Sequence, residues 1–344
     1  MVGAAFLLVA LAGFSTVRPW SDFIAQYAGA QLVGSGDLYR FEAVQRIEEA
    51  IDGPAPSAKP FVRPPFYAAL VWPLGKLPYG RALQLWQTVN LTAFAGFLIL
   101  WARDPWKAAG FCLWFVPVGN NIILGQDMFL VLLCLAAVCV CWSRGWQFAA
   151  GLLLSLCCVK AHLFLLLPVL IVARRLWTTA FGLAAGGVVL LLISRLVAGW
   201  DWVGAYVEAL GQASAAIGSE VRMANLVGLF ANAPWLGWLK IPAVAAVAGF
   251  VWFSCRRAPL DVALGLTLAG GLVVSPRAFV YDAVILVPVL IRVAELGSVS
   301  YLAFAAGGFG IAHLLFPWYP VIGQIWVVVL FAAAWRGSLR AASY

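Results

Sequence analysis

Asp22 stands five residues beyond an apolar stretch that runs from Met1 to Val17, at the head of a long polar segment. The chain has 14 acidic residues among 344, so a carboxylate where an apolar run meets polar sequence is a scarce group in an expensive place. Such an acid can act as a general base that takes a proton from a hydroxyl. It can also cap a helix start and pair with Arg18, and on spacing alone the cap is the commoner role. Lys160, in Val159-Lys160-Ala161-His162, divides an apolar run of 26 residues from Phe148 to Ala173. Its ammonium either meets charge developing on a departing phosphate or snorkels to water, and the sequence favours neither. Arg63-Pro64-Pro65 offers a guanidinium for bidentate contact with a phosphate, or with lipid headgroups. Gly125-Gln126-Asp127 either hydrogen-bonds a sugar, with glycine permitting close approach, or simply turns into the next apolar run. Ser275-Pro276-Arg277, followed by Tyr281-Asp282, carries the same two readings. His162 reads as a satisfied buried histidine before it reads as a catalyst, and Trp20, Trp200 and Trp202 could stack on a sugar ring.

The elements that must position these residues are apolar. The chain is 64% hydrophobic and 10% charged, against roughly 25% charged in soluble domains. Unbroken apolar blocks exclude the short alternating strands of a β-barrel and predict an all-α, polytopic helical membrane protein. One bundle over residues 1–344 is expected to form a single transmembrane domain, without a second large soluble unit. The net charge of +8 does not point to nucleic acid, because many cations fall in short connections between apolar blocks, where they set topology. The seven cysteines lie inside apolar runs and there are only two histidines, so neither a disulfide framework nor a metal site is expected.

Twelve spans are expected, near 1–17, 79–102, 108–120, 127–142, 147–158, 162–173, 176–197, 235–254, 258–274, 283–295, 299–316 and 320–336. The first has no basic leader and a poor cleavage site at Arg18-Pro19-Trp20, and is expected to be retained rather than removed as a signal peptide. Several spans are shorter than the roughly 20 residues of a straight crossing, which a bundle tolerates around a wet cavity. One set of short connections carries Arg103, Lys107, Arg144, Arg174-Arg175, Arg256-Arg257, Arg292, Arg336 and Arg340; this more basic set is expected to be cytoplasmic. A long first loop, about 18–78, then faces outward. Within it, residues 21–33 and 41–51 read as helices broken by Gly34-Ser35-Gly36-Asp37, and 66–77 as a short interfacial or re-entrant run. A second outer loop is expected over 199–225. On this topology Asp22, Gln26, Arg63, Asn120, Asn121, Gln126, Asp127, Lys160, His162, Arg222, Asn225, Arg277, Tyr281 and Asp282 share one side and suggest a polar cavity.

Asp22-Phe23, Tyr27-Ala28, Gly34-Ser35-Gly36-Asp37-Leu38-Tyr39, and Arg63-Pro64-Pro65-Phe66 leading to Trp72-Pro73-Leu74 occur in an order that resembles glycosyltransferase family 87. Gly125-Gln126, Lys160 and Ser275-Pro276 follow in the same order, so the resemblance covers most of the chain. It departs from the family's usual pattern at Asp127, Ala161 and Tyr281-Asp282, where asparagine, proline and a histidine often stand. The resemblance implies a GT-C-fold membrane enzyme, similar to the polyprenol-phosphate-mannose-dependent α-mannosyltransferases. It implies an outward-facing site in a bacterial plasma membrane, with no cofactor and no metal. The donor would be a polyprenyl-phosphate sugar, and the acceptor a glycolipid or cell-envelope glycan. It assigns Asp22 as catalytic base, Lys160, Arg63 and Arg277 as ligands of the donor phosphate, and Gln126, Asp127, His162, Tyr281 and Asp282 to substrate. The chemistry expected is an inverting, metal-independent hexosyl transfer. The rival reading is a secondary transporter or lipid flippase; it lacks support from an inverted repeat or from acids at mid-span.

Overall fold

The computed structural model describes residues 21–53, 59–112, 115–217, 220, 223 and 225–295. The spans expected at 1–17, 299–316 and 320–336, together with Arg18, Trp20 and Arg222, lie outside the described residues. Among the described residues every regular element is helical and none is a strand.

The first polar segment folds into three short helices, α1 (Phe23–Gln31), α2 (Phe41–Asp52) and α3 (Pro65–Val71). Pro65 opens α3, where its missing N–H costs nothing, and Pro73 tightens the continuation into a 3-10 turn, Trp72–Lys76. The bundle follows: α4 (Tyr79–Trp101), α5 (Pro105–Cys112), α6 (Val116–Leu124), α7 (Met128–Ser143), α8 (Gln147–Leu156), α9 (Leu167–Arg174), α10 (Trp177–Ala198), α11 (Trp202–Ile217), α12 (Leu226–Asn232), α13 (Lys240–Arg257), α14 (Leu260–Val274) and α15 (Val287–Glu295). Residues 202–217, expected as loop, form α11, because the alanines and aliphatics between the charges are sound helix formers.

Four helical stretches, Tyr79–Trp101, Gln147–Phe164, Trp177–Ala198 and Pro234–Arg257, are long and apolar enough to cross a membrane, and α5 with α6 makes a fifth if the bent pair is one span. Helices α7 and α14 are apolar but shorter. The outward faces of α10 and α13 carry large apolar side chains, with Phe181, Leu196 and Ile241 exposed at 72%, 81% and 82%. Surfaces of that kind belong in hydrocarbon rather than water.

Helix α14 is apolar all round and buried from Val262 to Val273, so it forms the centre of the bundle. Glycines let its neighbours come close. Gly271 faces the Leu163 carbonyl, and a Cβ there would strike it. Gly182 and Gly186 are spaced four apart on α10 and accept the backbone of α8 at Phe148 and the side chain of Ser155. This is the small-residue packing of membrane helices, where backbone contact replaces a hydrophobic driving force.

Charged residues gather at two levels. At the start of α14, Arg292 bridges Asp261 (2.7 Å) and Glu295 (3.0 Å), and Glu295 accepts the Arg103 N–H (2.7 Å). The second cluster lies beyond Ser275, at the other end of α14, about 21 Å away at 1.5 Å per residue.

Gly182→Val should wedge α8 from α10. Overpacking of this sort costs about 1–3 kcal/mol, read as a lower midpoint of thermal unfolding in detergent. An unchanged midpoint would mean that the close contact contributes nothing.

Candidate active site

Three interruptions of the helices deliver polar groups to one level. The first is the α6–α7 turn. Gly125 ends α6 with φ +64°, a left-handed conformation natural to glycine. A Cβ at Gly125 would also press on Phe23 Cβ (3.0 Å) and Ser21 Oγ (3.1 Å). The turn therefore lies directly against the start of α1. Asp22 N–H and Ser21 Oγ both donate to the Leu124 carbonyl (2.9 and 3.0 Å), and Trp86 Nε1 donates to the Gly125 carbonyl (2.8 Å). The second interruption is the 3-10 stretch Cys157–Phe164, where Lys160 leaves helical geometry (φ −124°, ψ 44°). It joins helical segments on both sides, so the expected gap between two spans is a kink. The third is the Ser275–Phe279 loop with the 3-10 turn Val280–Leu286, held by Asn225 Nδ2 donating to the Ser275 carbonyl (2.8 Å).

Asp22 occupies the position before α1, yet its side chain makes no cap hydrogen bond. The carboxylate is used elsewhere: Oδ1 accepts from Lys59 Nζ and Oδ2 from Gln126 Nε2, both at 2.7 Å. From Gln126 the network continues. Arg63 Nη2 approaches Gln126 Oε1 (3.4 Å) and Asp127 Oδ1 (3.3 Å), while Arg63 Nε donates to Asp127 Oδ2 (2.9 Å). Lys160 Nζ lies 3.8 Å from Asp127 Oδ1 and 2.9 Å from Asp282 Oδ1. Asp282 Oδ2 accepts the Phe279 N–H (2.9 Å) within the third interruption, and the Lys160–Asp282 pair ties that loop to the second. Lys160 is also 5.0 Å from the centre of the Tyr281 ring, and Arg63 lies 5.9 Å from that of Tyr67.

Asp127, Lys160 and Asp282 are each buried to within 2% of full, and Arg63 nearly so. Charges in that position persist only when paired. Burial alone would pull the Arg63 guanidinium down, but the Asp127 carboxylate outweighs it and holds the group above its ordinary value. Arg277 differs. It has no ion-pair partner among the described residues, its Nη1 is buried without a hydrogen bond, and it sits 5.7 Å from the Phe279 ring. Burial, aided by the like charge of Arg63, lowers its pKa. His162 stands within electrostatic range of Asp282, Lys160, Arg63 and Arg277.

Of the nine residues given roles by the resemblance, Asp22, Arg63, Gln126, Asp127, Lys160, Tyr281 and Asp282 are joined by direct contacts, and His162 and Arg277 lie within electrostatic range of them. Among the described residues no three His, Cys, Asp or Glu side chains converge as metal ligands would. Two further members were not foreseen. Lys59 had no motif around it. Glu48 was read only as one position of the helix over 41–51, but it is 4% exposed, and its Oε2 accepts the Lys59 N–H (2.8 Å). One signal was available: Glu48 falls at helical spacing between Val44 and Ile51, on the apolar face of α2. Burial pushes its carboxyl up to about 7, against the lowering influence of Lys59.

The model of Glycosyltransferase family 87 matches residues 61–276. That range holds Arg63, Gln126, Asp127, Lys160 and His162, and ends one residue before Arg277. A curated relative from Mycobacterium tuberculosis (strain CDC 1551 / Oshkosh), the polyprenol-phosphate-mannose-dependent alpha-(1-2)-phosphatidylinositol pentamannoside mannosyltransferase, is 28% identical over 259 residues. The match covers 67% of this chain and 58% of that relative, so the chain spans little more than half its length. No solved structure matches the chain.

Removing Arg63 leaves the buried Asp127 with Lys160 alone at 3.8 Å. Arg63→Ala should cost about 3–5 kcal/mol of stability, with Arg63→Lys intermediate because one ammonium cannot span both partners. Chemical denaturation in detergent measures the difference, and equal stability of both variants would deny the guanidinium its bridging role. Glu48 gives a pH signature. Its folded pKa is raised, so the stability it contributes is complete below its ordinary value of 4.5 and is lost as pH rises through about 7. Glu48→Gln should flatten that part of the pH–stability curve; an unaltered slope would assign it to another group.

Proposed function

Because the chain belongs to glycosyltransferase family 87, we propose that it is a membrane hexosyltransferase using a polyprenyl-phosphate sugar, mannose-like, as donor. The acceptor is a glycolipid or cell-envelope glycan. The mannosyl donor follows the activity of the mycobacterial relative. The observation that carries the reading is the continuous polar path from the Asp22 carboxylate through Gln126 and Arg63 to Lys160. One end of that path supplies a base and the other supplies cations, which are the two things a single displacement at a phosphate-activated sugar requires.

In this reading the acceptor hydroxyl replaces Lys59 or Gln126 at Asp22 and gives up its proton there. Its oxygen forms a bond to the anomeric carbon as the carbon–oxygen bond to phosphate breaks, and the electron pair leaves with polyprenyl phosphate. Attack opposite the leaving group inverts the anomeric centre. No metal is required if the protein supplies the positive charge. Arg63, Lys160 and Arg277 stand against Asp127 and Asp282, three charges against two, leaving one net positive charge for a phosphodiester that carries one negative. Arg277, with an unpaired buried N–H, is the first contact for that phosphate. As the leaving group gains its second charge, the preorganised cations stabilise it without solvent reorganisation. Gln126, Asp127, His162, Tyr281 and Asp282 position the sugar and the cations.

The charge cluster at the start of α14 and the connections bearing Arg103, Arg174-Arg175 and Arg256-Arg257 form the basic end of the bundle. In this reading the positive-inside tendency supports a cytoplasmic position for that end and an outward-facing site in a bacterial plasma membrane.

Asp22→Asn keeps the shape and removes the base. Transfer of a labelled polyprenyl-phosphate hexose by the purified variant should fall by about 10²–10⁴-fold in kcat, with little change in KM for donor. Transfer at the wild-type rate would reject Asp22 as base.

A further inference from the structure

Two donors hold the Asp22 carboxylate, and they differ in how firmly they are held themselves. Gln126, whose Nε2 donates to Oδ2 (2.7 Å), is 2% exposed. Its backbone N–H donates to the Asn121 carbonyl (2.9 Å), and its Oε1 faces Arg63 Nη2 at 3.4 Å. Lys59, whose Nζ donates to Oδ1 (2.7 Å), reaches Asp22 on a flexible four-carbon stem. The Lys59 side chain is 40% exposed and that of Asp22 28%. The enclosed partner of the carboxylate is thus Gln126 and the exposed one Lys59. Ion pairs as open to solvent as this are weak, so Lys59 is the partner that an incoming group can replace.

The Lys59 backbone is anchored to a different acid. Its N–H donates to Oε2 of Glu48 (2.8 Å), which α2 buries. The other oxygen of that carboxyl, Oε1, is buried with no hydrogen-bond partner. An orphaned buried acceptor is costly, and it invites a donor. Because Oε1 belongs to the carboxyl that touches the Lys59 backbone, rotation of the lysine stem brings the ammonium within reach of it. Asp52, at the end of α2, is also within electrostatic range of Lys59. One cation therefore has two destinations, an engaged carboxylate before α1 and an unsatisfied carboxyl on α2.

We propose that Lys59 is a displaceable counter-ion standing where the acceptor hydroxyl binds. The hydroxyl takes Asp22 Oδ1, the ammonium passes to Glu48, and Gln126 stays on Oδ2. The role of that hydroxyl as acceptor rests on the transferase reading; the exchange itself requires only an uncharged ligand with a hydroxyl to donate. Lys59 would then keep the lone pairs of Oδ1 occupied until a hydroxyl arrives.

The test measures binding of octyl mannopyranoside, a neutral hydroxyl-bearing probe, to the purified full chain in lipid nanodiscs without donor, by calorimetric titration. Lys59→Met removes the competitor, so the probe should bind about 2–5-fold more tightly, the range that an exposed ion pair allows. In the Asp22→Asn background the same change should have no effect. Glu48→Gln keeps an oxygen for the Lys59 N–H but puts an amide NH2 where the ammonium would go. It should weaken binding by a similar factor, and not when Lys59 is already methionine. Equal or weaker binding by Lys59→Met overturns the displacement, as does the absence of binding by wild type and variant alike. A Glu48→Gln effect that persists without Lys59 overturns the passage to Glu48. Where Lys59→Met does not fold, added salt serves instead. Screening of the Lys59–Asp22 pair should tighten probe binding to the wild type, and an unchanged affinity rejects the proposal. A wild type that neither transfers nor releases labelled hexose from its polyprenyl-phosphate donor counts against the transferase reading alone, because the binding comparisons still decide the role of Lys59.

Discussion

The structure turns on a row of buried charges: Arg63, Asp127, Lys160 and Asp282, alternating in sign within 2.9–3.8 Å of one another. No single pair would survive in an apolar bundle. A lone Lys160 or Asp127 would carry the full cost of desolvation, but in the row each charge has a partner of opposite sign. The cost is met by geometry, since the members come from four separate segments and must all arrive together. The row therefore constrains the start of α3, the α6–α7 turn, the Lys160 kink and the loop after α14 to one relative arrangement. Asp22 joins through Gln126 rather than by a direct ion pair to the row, which leaves its carboxylate adjustable while the cations beyond it stay fixed.

What makes the arrangement possible is the way the helices fail. Straight, continuous spans would present only side chains at this level. Instead Gly125 turns the chain left-handed, Lys160 steps out of helical geometry, and Ser275-Pro276 ends α14. Backbone groups exposed at the breaks find partners close by: Leu124 with Asp22 and Tyr281 with Asn121 across segments, and Phe279 with Asp282 within the last break. Irregular backbone at such a place is tolerated only where protein or enclosed water satisfies it. Below, glycines at 182, 186 and 271 let helices meet at backbone distance and hold the breaks in register.

Much of the site was readable residue by residue. Arg63, Asp127, Lys160 and Asp282 stood out because charges are scarce in this chain and each sits at an interruption of apolar sequence. Their pairings were not readable. Arg63 and Asp127 are 64 residues apart, and Lys160 and Asp282 122, with nothing local to match them. Lys59 escaped notice for the same reason. Its role comes from lying across Asp22, and its neighbours in sequence carry no trace of that. Glu48 was half legible, since its place on the apolar face of α2 marked it for burial but not its partner. Asp22 shows the opposite error. Its position suggested a cap, yet the side chain points to Lys59 and Gln126, because a charged donor and an amide compete well against a helix end.

The sequence by itself determined the helical class, the membrane setting and the short list of polar residues. Composition and apolar patterning act locally, and backbone that faces hydrocarbon must have its hydrogen bonds satisfied, which a helix does within its own segment. Only the tertiary structure decided that Lys160 lies between two carboxylates and that Asp22 is held by a lysine 37 residues further along the chain. Those outcomes depend on which breaks meet across the bundle. Meeting is a property of packing between distant segments, and no residue carries it alone.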